Sequence, residues 1–267
     1  MWIAAITTAL ARIAAVRAPY KPIIISCVGD SVTSNGAADH PNMTYPAQLQ
    51  RLLGKKYSVI NNGVSGTTMM AKGMCGYGPS DMPCLALSRM PNCSGNCAYR
   101  NTSRYRNATT CTPDIVTIMM GTNDAKGQNW NGVETNGLPV GAGTQFAADY
   151  RTMIAMFKAL PSKPKVYVVL PPPAISQCPS TGIRGNASIC LAYNISFDAV
   201  NVQYPVLQRM IANDAGADGF IDVWTALGGL NISVNATADG IHPKDAALGV
   251  IAKTIASVIA GGYKIKV

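Results

Sequence analysis

Charge is scarce in this chain: Asp, Glu, Lys and Arg together make up 13% of its 267 residues, while 48% are apolar. That balance excludes a disordered, highly charged polymer and fits a globular protein with a full core. Lys and Arg outnumber Asp and Glu by 22 to 13, a formal charge of +9. The basic residues are scattered, however, with no run longer than Lys55-Lys56 and no interleaved aromatic platform, so nucleic acid is not an expected partner. A soluble basic surface is the reading preferred over attraction to an acidic glycan. Histidine is rarer still. The two present, His40 and His242, lie far in sequence from the cysteines, and no Cys-x-x-Cys pair occurs. Zinc held by Cys93 and Cys97 is therefore disfavoured. Long apolar runs are missing too: the longest, Trp2 to Val16, is interrupted by Arg12 and is short for a bilayer, so no stable membrane insertion is expected. Neither an internal repeat nor a linker marks a second domain, and residues 21–267 read as one domain.

What the chain does hold points to export. Eight Asn-X-Ser/Thr sequons occur, at Asn42, Asn92, Asn101, Asn107, Asn186, Asn194, Asn231 and Asn235, where chance would supply roughly two or three. There are also eight cysteines, seven in loop-like segments: Cys75, Cys84, Cys93, Cys97, Cys111, Cys178 and Cys190. A secreted protein with N-glycans and oxidised cysteine pairs accounts for both counts together. Cys178 with Cys190 would close a short loop, while Cys27, in an apolar strand, reads as a buried thiol. The Ala-rich start ends in Val16-Arg17-Ala18, a small-x-small pattern, so residues 1–20 read as a signal peptide or a leader.

Apolar, β-branched runs at Pro22–Val28, Tyr57–Ile60, Asp114–Met120, Lys165–Leu170 and Phe220–Val223 read as buried strands. Helical spacing is found over Tyr45–Leu53, Gln145–Leu160, about Phe197–Ala215 and about Pro243–Ile259. Strands alternating with helices predict a three-layer α/β/α sandwich around a mainly parallel five-stranded sheet of flavodoxin-like type. One segment breaks the rhythm. From about 72 to 113 there are five cysteines, three sequons and little periodicity, which reads as a disulfide-rich insertion.

In parallel sheets the chemistry gathers at the carboxyl ends of the strands. There the chain carries Gly29-Asp30-Ser31, then Gly63-Val64-Ser65-Gly66, then Gly121-Thr122-Asn123-Asp124, with Asp239-Gly240-Ile241-His242-Pro243 near the far end. In this order the four fragments resemble the signature blocks of the SGNH/GDSL hydrolases, with Val32 in place of the leucine of the GDSL name. Tyr45-Pro46-Ala47-Gln48-Leu49, Asn129-Trp130 and the prolines Pro171-Pro172-Pro173 are similar to those of the branch containing carbohydrate acetylesterases. The resemblance implies a serine esterase with Ser31 as nucleophile, His242 as base and Asp239 as its orienting acid. It also implies an oxyanion hole from the backbone N–H groups of Ser31 and Gly66 and the side-chain amide of Asn123; Gly66 is chosen over Gly63 by its place in the family block.

The residue types suit that chemistry. A serine hydroxyl needs a base at hydrogen-bond distance, imidazole has a suitable pKa, and a carboxylate three residues earlier can fold back to fix its tautomer. Neither a metal nor a cofactor is required. His40 has only the adjacent Asp39 as an acid and reads as a loop residue near the site mouth, and Met69, Met70, Met119 and Met120 read as core or pocket lining. The expected activity is hydrolysis of short acyl esters through an acyl-enzyme, with O-acetylated carbohydrate as the substrate class. The rivals are a lipase or lysophospholipase of the same family and a non-catalytic glycan-binding module; a nucleotide- or flavin-binding protein is disfavoured by the carboxylate of Asp30 where a phosphate-cradling loop would be needed.

Overall fold

The structure is a computed structural model, and it describes residues 21–74, 96–127, 129–130, 142–175 and 195–261. Five strands form one sheet: β1 (Ile23–Gly29), β2 (Tyr57–Gly63), β3 (Ile115–Met119), β4 (Lys165–Leu170) and β5 (Gly219–Asp222), in the order β2-β1-β3-β4-β5. Every pairing is parallel. The helices are α1 (Ser31–Ser34), α2 (Tyr45–Leu53), α3 (Ser103–Thr110), α4 (Ala142–Lys158), α5 (Tyr204–Asp214), α6 (Val223–Ala226) and α7 (Asp245–Ile259). All five strands lie within a few residues of where the apolar runs put them.

Alternation along the strands divides the core into two layers, because successive strand side chains face opposite sides of a sheet. Val116, Ile118, Val166, Val168 and Leu170 face Phe146, Tyr150, Ile154 and Phe157 of α4 and Leu207 and Ile211 of α5. Ile25, Cys27, Met119, Val169 and Ile221 face the other way, onto Leu49 of α2 and Leu248, Ile251 and Ile255 of α7. Both faces are therefore covered, as a parallel sheet requires. The four methionines named above are buried in this core. Cys27 is a free, fully buried thiol, and burial pushes its pKa up to about 12.

Two expectations need correction. The stretch from 72 to 113 is not simply a loop-like insertion. Of its described parts, residues 72–74 and 96–113, Tyr99–Asn101 forms a 3₁₀ turn and Ser103–Thr110 forms α3, which packs on β1 and β2 as the crossover between β2 and β3. Its job is partly polar: Asn107 donates to the side chain of Asn62 at 2.7 Å, Asn62 donates to Ser26 at 2.9 Å, and the Tyr99 hydroxyl donates to the Asn62 carbonyl at 2.6 Å. A buried asparagine left without these partners would be costly. Cys111, grouped above with the oxidised cysteines, is a free thiol at the end of α3, whereas Cys97 is disulfide-bonded. The proposed Cys178–Cys190 pair and residues 1–20 lie outside the described residues.

The helix expected over Phe197–Ala215 is present, helical without a break from 197 to 214, with a π-helical turn at Ala199–Gln203 running into α5. Pro205, in the first turn of α5, brings no N–H to an α-helical ladder, and a widened turn accommodates it. Among the described residues no helix is long and apolar enough to cross a membrane.

Candidate active site

The site forms where β1, β2 and β3 end. Asp30 follows β1 directly and caps α1, its carboxylate accepting the N–H of Val32 at 3.0 Å. This turn places Ser31 at the start of the first helical turn, facing out from the sheet edge. Glycine is required before it: a Cβ added to Gly29 would lie 2.0 Å from Thr33 Oγ1 and 2.7 Å from the carbonyl oxygen of Met119. Across the turn, a Cβ on Gly63 would meet the backbone nitrogen of Ser34 at 2.3 Å. The ends of β1 and β2 thus approach α1 too closely for any side chain at either glycine.

His242 reaches the same point from the loop before α7. Its Nε2 lies 2.9 Å from Ser31 Oγ, and its Nδ1 lies 2.6 Å from Asp239 Oδ2. The other carboxylate oxygen of Asp239 accepts the N–H groups of Ile241 at 3.0 Å and His242 at 2.8 Å. Gly240 supplies the left-handed turn between them, with φ of +87°, and donates its N–H to Thr237 Oγ1 at 3.0 Å. The loop is pinned to the turn that follows α1 by a bond from the Ala37 N–H to the Pro243 carbonyl at 2.9 Å. Burial alone would raise the pKa of Asp239, but the hydrogen bond and charge of His242 and the two amides overcome it and hold the carboxyl down at about 2. An ionised Asp239 accepts the Nδ1–H of the imidazole, which leaves Nε2 free to accept from the serine hydroxyl.

The second and third strand ends build the opposite side. Val64 continues the β1–β2 pairing, donating its N–H to the Gly29 carbonyl at 2.9 Å, and Gly66 then turns with φ of +79°. Asn123, 6% exposed, donates from Nδ2 to the Thr67 carbonyl at 3.0 Å, which ties its amide to the loop carrying Gly66. One N–H of that amide is used; the other remains to donate. Among the described residues the backbone N–H groups of Ser31 and Gly66 have no acceptor within the chain. Amide donors fixed in this way suit a negatively charged oxygen.

Ser31, His242 and Asp239 are therefore brought into one hydrogen-bonded row, and Asn123 is joined to the loop that carries Gly66. His40 is exposed, before a short 3₁₀ turn. The supporting residues were not legible as such in the sequence. Asp124 is buried and accepts the N–H groups of Met69 at 2.9 Å and Met70 at 2.8 Å. Asn129 donates to the Asn123 carbonyl at 3.0 Å and clasps the backbone of Met74 through both ends of its amide. The available signals were position for Asp124, which sits in the block that ends β3, and for Asn129 its place in the Asn129-Trp130 pair similar to that of the acetylesterase branch.

Asp239→Asn should keep the fold while lowering kcat for an activated ester by about 1,000-fold or more, because an amide no longer holds the Nδ1–H tautomer. Its stability should differ from the parent's in a defined pH window. The folded carboxyl sits below its ordinary value of 3.8, so its contribution is full above that pH and is lost as pH falls toward about 2. Thermal unfolding across that range should show the two proteins converging at the acid end.

Comparison with known proteins fits this geometry. The model of the GDSL-like lipase/acylhydrolase family matches residues 27–247. An acetylxylan esterase of Xylanibacter ruminicola is 28% identical over 255 residues, which cover 89% of this chain and 43% of that protein. The chain thus spans less than half the length of that curated relative. Among solved structures, the M. smegmatis aryl esterase superposes with a TM-score of 0.58 at 20% identity, covering 90% of this chain and 99% of that one. A carbohydrate acetylesterase of Sinorhizobium meliloti gives 0.58 at 19% identity, covering 90% and 99%. These two share the fold, and the family match extends from the end of β1 into α7, across all four blocks: the chain belongs to the GDSL-like lipase/acylhydrolase family.

Proposed function

We propose that the chain is a carboxylic ester hydrolase that removes short acyl groups, acetyl above all, from carbohydrate. The observation that carries this is the row Ser31–His242–Asp239, with separations of 2.9 and 2.6 Å. In the first step the Ser31 oxygen attacks the acyl carbon as His242 Nε2 takes the hydroxyl proton, and the carbonyl π bond opens to an oxyanion. The N–H groups of Ser31 and Gly66 and the amide of Asn123 would receive that oxygen; losing one such donor typically costs about 100 to 1,000-fold in rate. Collapse of the intermediate expels the sugar alkoxide, which takes the proton from His242, and leaves an ester on Ser31. Water, deprotonated by His242, then attacks that ester and releases the carboxylic acid while the serine recovers its proton. The acetyl preference is supported by what the relatives are named for, an acetylxylan esterase and a carbohydrate acetylesterase.

We further propose that the protein is secreted and N-glycosylated. All five sequon asparagines among the described residues, Asn42, Asn101, Asn107, Asn231 and Asn235, are exposed. Asn231 and Asn235 lie a few residues before Asp239, so glycans there would border the site.

Ser31→Ala should abolish turnover of p-nitrophenyl acetate, a loss of about 1,000-fold or more, together with labelling by an organophosphonate serine probe. The parent should prefer acetyl to octanoyl esters. Preference for long chains would move the assignment to a lipase, and a folded parent that takes no label would leave only a binding module. Intact mass of protein secreted from a eukaryotic host should drop on enzymatic deglycosylation; an unchanged mass would remove the glycoprotein reading.

A further inference from the structure

Asn123 is tied down by two bonds of its own, from its amide to the Thr67 carbonyl and from Asn129 to its carbonyl, each 3.0 Å. The turn that carries it has a further anchor, in α5. Tyr204 and Gln208 lie one helical turn apart on that helix, and both are fully buried. The Tyr204 hydroxyl donates to the Gly121 carbonyl at 2.8 Å, and Gln208 Nε2 donates to the Met120 carbonyl at 3.1 Å. The Gly121 carbonyl also accepts the Ala125 N–H at 3.0 Å, the bond that closes the turn over Asn123. One oxygen is therefore fixed twice, by the turn itself and by the helix.

So close an approach needs glycine at position 121. With φ of +133° it takes a backbone shape that side chains rarely adopt, and a Cβ there would lie 2.9 Å from the Tyr204 ring and 3.1 Å from Gln208 Nε2. The phenol has little freedom of its own. Its ring stacks on Phe146 with centroids 5.2 Å apart and meets Trp130 edge to face at 5.1 Å. Trp130 is fixed in turn by its Nε1, which donates to Gln203 at 2.7 Å. Burial lifts the Tyr204 pKa well above its ordinary value, so the hydroxyl stays a donor. Gln208 is a costly choice for filling space, since its Oε1 is buried with no hydrogen-bond partner among the described residues. What it supplies is the bond to Met120.

We propose that Tyr204 and Gln208 are positioning residues for the reaction: they hold the carbonyls of Gly121 and Met120, and through them set where the Asn123 amide stands when charge develops on the substrate oxygen. This rests on the hydrolase reading above. Both side chains are buried away from substrate and act through the backbone, and a small displacement of a charge-stabilising donor is costly in rate.

Tyr204→Phe deletes one oxygen and keeps the ring in its stack, while Gln208→Met deletes the donor and the unpartnered oxygen together. With p-nitrophenyl acetate, kcat should fall by about tenfold or more in the first and about threefold in the second. KM should hold within about twofold, because the interaction gains strength in the transition state alone. Labelling of Ser31 by an organophosphonate probe, which also builds charge on an oxygen, should slow by similar factors. The acid limb of kcat/KM, set by His242, should stay in place. By NMR the Asn123 side-chain amide protons should exchange with solvent about tenfold faster in Tyr204→Phe, while the amides of β4 exchange as in the parent. Unchanged kcat and labelling in the folded variants, whatever their Tm, would overturn the proposal, as would a slowing accompanied by a displaced acid limb, which would put the damage at His242. Failure of both variants to fold would overturn it too, leaving the pair a structural role alone. A parent that hydrolyses no ester would overturn the hydrolase reading instead; unchanged Asn123 exchange would then remove the positioning role as well.

Discussion

A single hydrogen bond, from Ser31 to His242 across 211 residues of sequence, sets the requirement that the rest of the molecule meets. Neither group is reactive alone: the hydroxyl is a weak nucleophile at neutral pH and the imidazole is an ordinary base. Bringing them to 2.9 Å needs two loops from opposite ends of the chain to reach one edge of the sheet and stay there. The sheet supplies the frame. The parallel order β2-β1-β3-β4-β5 puts β1 between the first crossover and the rest, and the crevice beside its end is where the chain direction switches sides.

Precision at that edge comes from close packing. Gly29 and Gly63 leave no room for a Cβ, so the turn into α1 packs directly on the strand ends, against the Thr33 side chain at Gly29 and against peptide groups at Gly63. The loop of His242 is held with similar economy, since one carboxylate binds both the imidazole and two amides of its own turn. On the other side Asp124 and Asn129 hold the loops that follow β2 and β3 through backbone N–H and C=O groups. Polar side chains buried at this edge are satisfied mostly by main chain, which orders the loops around Asn123 without any regular secondary structure.

Much of this was legible in the sequence. Buried parallel strands are nearly continuous apolar runs, so β3 and β4 stood out in the sequence, and glycine-rich strand ends marked the candidate site residues. What was missed was polar. Helix α3 reads Ser-Arg-Tyr-Arg-Asn-Ala-Thr-Thr, and only Ala108 is buried in it; it covers a polar part of β2, so no apolar period betrays it. Cys111 looked like its neighbours in sequence and yet is a free thiol. The burial of Asp30, Asp124 and Lys126 could not be foreseen either, because charged residues are read as solvated until the fold is known.

The row of serine, imidazole and carboxylate makes one chemical commitment above all, a covalent acyl-enzyme on Ser31. Rapid acid quench of the protein with an acetyl ester, followed by peptide mass spectrometry, tests it directly. The peptide holding Ser31 should gain the mass of one acetyl group early in turnover, and should gain none in His242→Ala. Steady turnover with no acetyl on that peptide, or with acetyl only on another residue, would contradict it.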